Sequence, residues 1–136
     1  MVKNIIHDPI MLAQKSKPAT VLDITAADDL KDTLKANADR CVGMAANMIG
    51  CAKRIIVFSD SGKISEMFNP EIVSAKDKFE TEEGCLSLSG TRKTSRYKTV
   101  TVKFQNRQFK NCLKTYTGWT AQIIQHEIDH CNGILI

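Results

Sequence analysis

His126 and His130 flank Glu127 in the run Gln125-His126-Glu127-Ile128-Asp129-His130. Imidazoles four residues apart project from one face of a helix about one turn apart, so both can reach a single cation. The intervening Glu127 points slightly to one side. It is close enough to handle the proton of a water that the cation activates, but badly placed to be a ligand itself. That division of labour is what metal-assisted hydrolysis requires. The plain alternative is a pair of surface histidines on an amphipathic helix. A third ligand elsewhere in the chain separates the two readings, because a catalytic zinc-type site keeps three protein ligands and one open position.

The surroundings of the motif read as a buried helix. Thr117 or Thr120 can cap it, Trp119, Ile123, Ile124 and Ile128 supply a core-facing stripe, and Asn132-Gly133 supplies a stop. An earlier helix is expected over 26–40, with Thr25 as cap, Asp28 and Asp29 in the first turn and Leu30, Leu34 and Ala38 on one face. Strand character appears in 54–58, with a turn at Asp60-Ser61-Gly62, and again in 66–74, interrupted by Asn69-Pro70. Residues 97–104 alternate, Val100, Val102 and Phe104 on one side and Thr99, Thr101 and Lys103 on the other, and a further strand follows over 109–116. Glu82 to Gly90 reads as a strand end opening into a loop, and the first twenty residues as an irregular arm limited by Pro9 and Pro18. The class is therefore α+β: antiparallel β-sheets around a central metal-binding helix, with one earlier helix.

A chain of 136 residues is expected to form one domain, 1–136. With 43% hydrophobic and 25% charged residues it has the balance of a globular protein. The net charge of +4 is mild and the basic residues are scattered, apart from Arg92, Lys93, Arg96 and Lys98, so no specific nucleic-acid binding is expected. Met1 to Leu12 is broken by Lys3, Asn4, His7, Asp8 and Pro9, and no apolar run reaches membrane-spanning length. No membrane partner and a cytoplasmic location follow as expectations. Five cysteines make no paired framework, which favours reduced thiols free to bind metal.

Of the candidates for the third ligand, His7 lies in the arm and reads as a surface residue. Cys85 is better, because thiolate binds zinc and ferrous iron well and Gly84 leaves space around the sulfur. Cys41, Cys51, Cys112 and Cys131 read as small core residues. The run Cys41 to Gly50, small and apolar with two glycines, is suited to lining a ligand cleft or to a tight helix-to-strand connection.

Glu83-Gly84-Cys85-Leu86-Ser87 and Gln125-His126-Glu127-Ile128-Asp129-His130 together resemble the second and third signature motifs of peptide deformylases, and the similarity runs from about residue 20 onward. The resemblance implies a divalent metal on Cys85, His126 and His130, ferrous iron in the cell and zinc or nickel in preparations. It implies Glu127 as general acid and base, and the Leu86 N–H as a donor to the oxyanion. The reaction implied is removal of formyl from the N-terminal formylmethionine of nascent polypeptides, possible at the ribosome. The peptide would lie along Gly43, with its methionine side chain near Val42 and Ile123.

The first motif departs from the family pattern. Cys41-Val42-Gly43-Met44-Ala45-Ala46-Asn47-Met48 has Cys41 in place of the first glycine and Met48 in place of a glutamine. In the family that amide donates to the developing oxyanion, which a thioether cannot do. A slow enzyme is expected, with a catalytically impaired paralogue, binding N-terminal peptides or acting on a different small amide, as the alternative. Asn47 is adjacent and could in principle supply an amide, but a neighbour in sequence usually points elsewhere.

Overall fold

Ile55, Ile56, Val57 and Phe58 are consecutive and all fully buried. A strand achieves this only when both its faces are covered, because successive side chains point to opposite sides. In the computed structural model, which describes residues 1–136, they begin strand β2 (Ile55–Asp60). Ile56 and Phe58 pack with Ile123, Ile124 and Ile128, while Ile55 and Val57 pack with Leu30, Leu34, Met44 and Met48. One helix therefore roofs each face: α3 (Gly118–Cys131) the first and α2 (Ile24–Ala36) the second. Each such aliphatic or aromatic side chain contributes about 1.5–3 kcal/mol when fully buried.

The expected α+β class holds, with the strands forming a single five-stranded antiparallel sheet. Its order is β1 (Gly43–Ala45), β2, β3 (Lys63–Cys85), β4 (Leu88–Gln105) and β5 (Asn111–Thr117). Ser61 (φ 52°) and Gly62 (φ 86°) make the two-residue turn from β2 to β3, in the left-handed conformation whose twist suits a hairpin. The interruption foreseen at Asn69-Pro70 is a bulge within one long strand. Asn69 anchors it, accepting from Ala19 N at 2.7 Å and donating to Ala19 O at 3.0 Å and Gln105 Oε1 at 2.7 Å.

The largest departure from expectation is the length of the β3–β4 hairpin. The loop foreseen within Glu82 to Gly90 is a tight turn, Leu86-Ser87, with Cys85 paired to Leu88. Residues 75–96 are held by the backbone ladder and by polar cross-strand partners such as Ser95 Oγ donating to Glu80 Oε1 at 2.7 Å. Most are exposed or half-buried, so no apolar alternation marks them.

Smaller shifts have local causes. Thr20 and Asp23 form a capping box over the 3-10 turn Val21–Asp23, which starts α2 earlier than Thr25 would, and Ala38 lies beyond its end, exposed. The arm contains helix α1 (Pro9–Leu12), capped by Asp8, and Leu12 is fully buried. Ser16 N donates to Cys131 O at 2.9 Å, tying the arm to the end of α3. Trp119, expected in the core, is 62% exposed because it lies in the first turn of α3, before the helix enters the core. Of the cysteines read as core, Cys131 is buried, whereas Cys41, Cys51 and Cys112 are only partly so. No helix is long and apolar enough to cross a membrane.

Candidate metal centre

The helical spacing of His126 and His130 brings their Nε2 atoms to 3.2 Å, and the tip of the β3–β4 hairpin carries Cys85 Sγ to 3.3 Å from His130 Nε2. The three ligand atoms lie within 4.8 Å of one another. A tetrahedral cation with Zn–N of about 2.0–2.1 Å and Zn–S of about 2.3 Å sets its nitrogens about 3.3 Å apart and nitrogen from sulfur about 3.6 Å. The observed spacings are close to these edges, and one thiolate with two imidazoles is a borderline-soft donor set suited to zinc or ferrous iron. His7 lies apart from this cluster. It is exposed, with its ring Nδ1 2.9 Å from Ser87 O at the hairpin turn.

The partners behind the donors orient them. Glu83, near the end of β3, sits with Oε1 2.8 Å from His126 Nδ1. Burial alone would raise its pKa, but hydrogen bonds from His126, Arg96 and Gln122 outweigh that and hold it down to about 2. An ionised carboxylate only accepts, so Nδ1 of His126 carries a proton. Burial works to lower the pKa of the ring, but hydrogen bonds to Cys85 and Glu83 push it up to about 10, and loss of the proton on Nε2 is what would free that atom to bind a cation. Arg96 on β4, 4% exposed, donates from Nη2 to Glu83 Oε1 at 2.7 Å and from Nη1 to Asp129 Oδ2 at 2.7 Å. Gln122 Nε2 donates to Glu83 Oε2 at 2.8 Å. Burial pushes His130 down to about 3, which keeps its imidazole neutral.

Glu127 projects beside the donors from the same helix. It is buried and its Oε1 has no hydrogen-bond partner. Burial pushes its pKa up to about 7, with His126 pulling partly the other way. A carboxyl group poised there can both accept and return a proton near neutral pH. Gly43 makes this packing possible. A Cβ at that position would lie 2.7 Å from Ile123 Cγ2 and 2.8 Å from Glu127 Oε2.

A cleft of about 390 Å³ opens over the centre, lined among others by Val42, Gly43, Met48, Leu86, Ile123 and Glu127. Of the residues singled out from the sequence, Cys85 and His126 also line it, whereas His130 is fully buried. Val42 is 40% exposed, while Ile123 is shared between cleft and core. The run 41–50 is both things foreseen for it, a cleft wall and a tight connection, built from β1 and a 3-10 turn, Ala46–Ile49.

Sequence reasoning overlooked Glu83, Arg96, Asp129 and Gln122 as supports for the donors. Glu83 and Asp129 lay inside the two motifs, which was a usable signal. Arg96 was masked by its basic neighbours, and nothing local distinguished Gln122. The suggested rescue by Asn47 fails, because its Nδ2 donates to His130 O at 3.0 Å and its side chain is not part of the cleft wall.

Known proteins share both fold and sequence. A family profile described as Polypeptide deformylase matches residues 2–136. The chain is 52% identical over 136 residues to a peptide deformylase of Clostridium beijerinckii, covering 100% of both chains. A peptide deformylase of Halothermothrix orenii is 42% identical, with 96% of this chain and 86% of that one aligned. Among solved structures, a Met-Ala-Ser-bound class I type b peptide deformylase from Acinetobacter baumannii superposes with a TM-score of 0.89 at 27% identity, covering 99% of this chain and 97% of that chain. The peptide deformylase of Thermotoga maritima gives 0.89 at 29% identity, covering 99% and 95%.

Proposed function

The chain belongs to the polypeptide deformylase family, and on that footing we propose how its residues remove the formyl group from the N-terminal formylmethionine of a nascent polypeptide. The observation that carries the assignment of roles is the convergence of Cys85 Sγ and the Nε2 atoms of His126 and His130 beside the unpartnered carboxyl oxygen of Glu127.

Cys85, His126 and His130 would hold a divalent cation. When bound, such an ion acidifies a water molecule and polarises the formyl carbonyl. Glu127 accepts the water proton on its carboxylate and returns it to the departing amine nitrogen, a double role that a pKa of about 7 suits. The Leu86 backbone N–H donates to the formyl oxygen as negative charge develops on it. Glu83 keeps His126 in the Nδ1–H tautomer throughout.

The substrate backbone lies extended along Gly43. β1 is at the edge of the sheet, so an added strand can pair with it. Val42 and Ile123 offer apolar surface to the first side chain, consistent with the Met-Ala-Ser peptide bound by the Acinetobacter baumannii relative. The native cation is ferrous iron, with zinc or nickel acquired in preparation, and the reaction belongs in the cytoplasm, on N-termini emerging from the ribosome. Met48 in place of an amide donor makes the enzyme slow.

Formate release from a formyl-Met-Ala-Ser peptide, measured with iron under anaerobic conditions and with zinc and nickel, tests this reading. Release is expected with at least one metal. Glu127→Gln is expected to reduce it by about a hundredfold or more while one metal ion per chain is retained. A metal-loaded protein that releases no formate, or a Glu127→Gln variant as fast as the parent, overturns it.

A further inference from the structure

Besides Glu127 Oε1, two buried polar atoms near the metal centre lack hydrogen-bond partners, and they belong to residues already joined by a side-chain to backbone hydrogen bond. Asn47, 6% exposed, donates from Nδ2 to the His130 carbonyl oxygen at 3.0 Å, yet its Oδ1 accepts nothing. His130, fully buried, has no partner at Nδ1. The two atoms are complementary. If His130 presents the Nε2 lone pair to a cation, its single ring proton resides on Nδ1 and needs an acceptor, and an amide oxygen is one. Leaving such groups unpaired in the interior is unfavourable, because each has given up its water partners and gained none. Pairing, directly or across one water, removes both penalties.

We propose that Asn47 is the positioning residue of His130, its amide nitrogen holding the last turn of α3 by the His130 carbonyl and its Oδ1 accepting the His130 Nδ1–H. The ring is thereby locked in the tautomer that turns Nε2 toward Cys85 and His126. Glu83 performs the equivalent task for His126 from β3. The two imidazoles are thus steadied from opposite sides, one by the hairpin and one by the 3-10 turn that follows β1. Asn47 stands next to Met48 in that turn, but only Met48 faces the cleft. The side chain that looked like a replacement oxyanion donor serves the metal ligand instead. The inference rests on the reading of Cys85, His126 and His130 as ligands.

The test is zinc affinity of the full-length chain, by chelator competition, for the parent, Asn47→Leu, Asn47→Asp and Cys85→Ala. Asn47→Leu, close in volume but without either polar atom, is expected to bind zinc about 10–100-fold more weakly. Asn47→Asp keeps an acceptor at the Oδ1 position but loses the Nδ2 donor to His130 O, and is expected to bind zinc with an affinity between those of the parent and Asn47→Leu. Unchanged affinity in Asn47→Leu overturns the proposal. So does an equal loss in both Asn47 variants, which is what a purely structural role for the side chain gives. If Asn47→Leu does not fold, proton NMR of the zinc-loaded parent decides: a slowly exchanging His130 Nδ1–H resonance supports the proposal, and exchange at the solvent rate overturns it. Equal, weak binding by the parent and Cys85→Ala rejects the metal-centre reading and the inference together. Tight parent binding lost in Cys85→Ala but kept in Asn47→Leu rejects the inference alone.

Discussion

Met48 and Gly43 show how single side chains govern this cleft. Met48 is 1% exposed, and its sulfur accepts from Ala45 N at 3.5 Å, so its polar capacity is turned back onto its own chain segment. One missing oxyanion donor typically costs a hundred- to a thousandfold in turnover, about 3–4 kcal/mol. Met48→Gln is therefore expected to raise kcat for formate release by about that factor while leaving KM little changed. An unchanged kcat would show that the amide does not limit this enzyme. Gly43 acts by what it lacks. Alanine there places a methyl group 2.8 Å from Glu127 Oε2, against a buried helix that cannot easily yield. Displacement of the carboxyl by about 1 Å is enough to lower kcat about a hundredfold. Zinc content of Gly43→Ala should stay at the parent level, and normal activity would mean that Glu127 adjusts without loss.

Arg96 joins three elements. It sits on β4, reaches Glu83 on β3 and Asp129 on α3, and through Glu83 it bears on His126. A guanidinium with planar, forked donors can hold two carboxylates at once, which lysine cannot. Arg96→Met leaves Glu83 buried without its counter-charge. The expected loss is about 3–5 kcal/mol, read from the urea midpoint, together with weaker zinc binding in chelator competition. Stability within a few tenths of a kcal/mol of the parent would assign the hold on the hairpin to the backbone ladder. The four basic residues of this segment were visible in the sequence only as a patch of charge. One of them is buried because alternation along β4 and the crossing of α3 turn it inward, and neither can be read from charge alone. The hairpin itself was half legible. Val100 and Val102 alternate against the core and announce a strand. Residues 75–96 do not, since their pairing is between polar side chains near solvent.

The centre also bears on the stability of the molecule, because Cys85 comes from the hairpin tip and both histidines from α3. A cation bridging them stabilises only the folded chain. At a thousandfold excess over Kd the gain is about 4 kcal/mol, roughly 10–20 °C in Tm for a domain of this size. Thermal denaturation with zinc and with a chelator should show that difference in the parent and its disappearance in Cys85→Ala. Equal Tm values with and without zinc would mean that the hairpin and the helix are already locked by Arg96 and the core.

Short-range periodicity carried most of what could be read directly. An i, i+4 pair of histidines, the apolar stripe Ile123-Ile124-Ile128, the Ile55–Phe58 run and the alternation after Tyr97 follow from helix and strand geometry, so the two helices, most of the strands and the shared face of His126 and His130 were open to inference from residues alone. The pairings Asn47–His130, Glu83–Arg96–Asp129 and Gly43–Glu127 were not. They join residues 13 to 84 positions apart whose proximity depends on which surfaces meet and in what register. The polar groups involved are buried, so they must find partners wherever packing brings them. That packing is a property of the assembled sheet and helices and leaves no periodic trace along the chain.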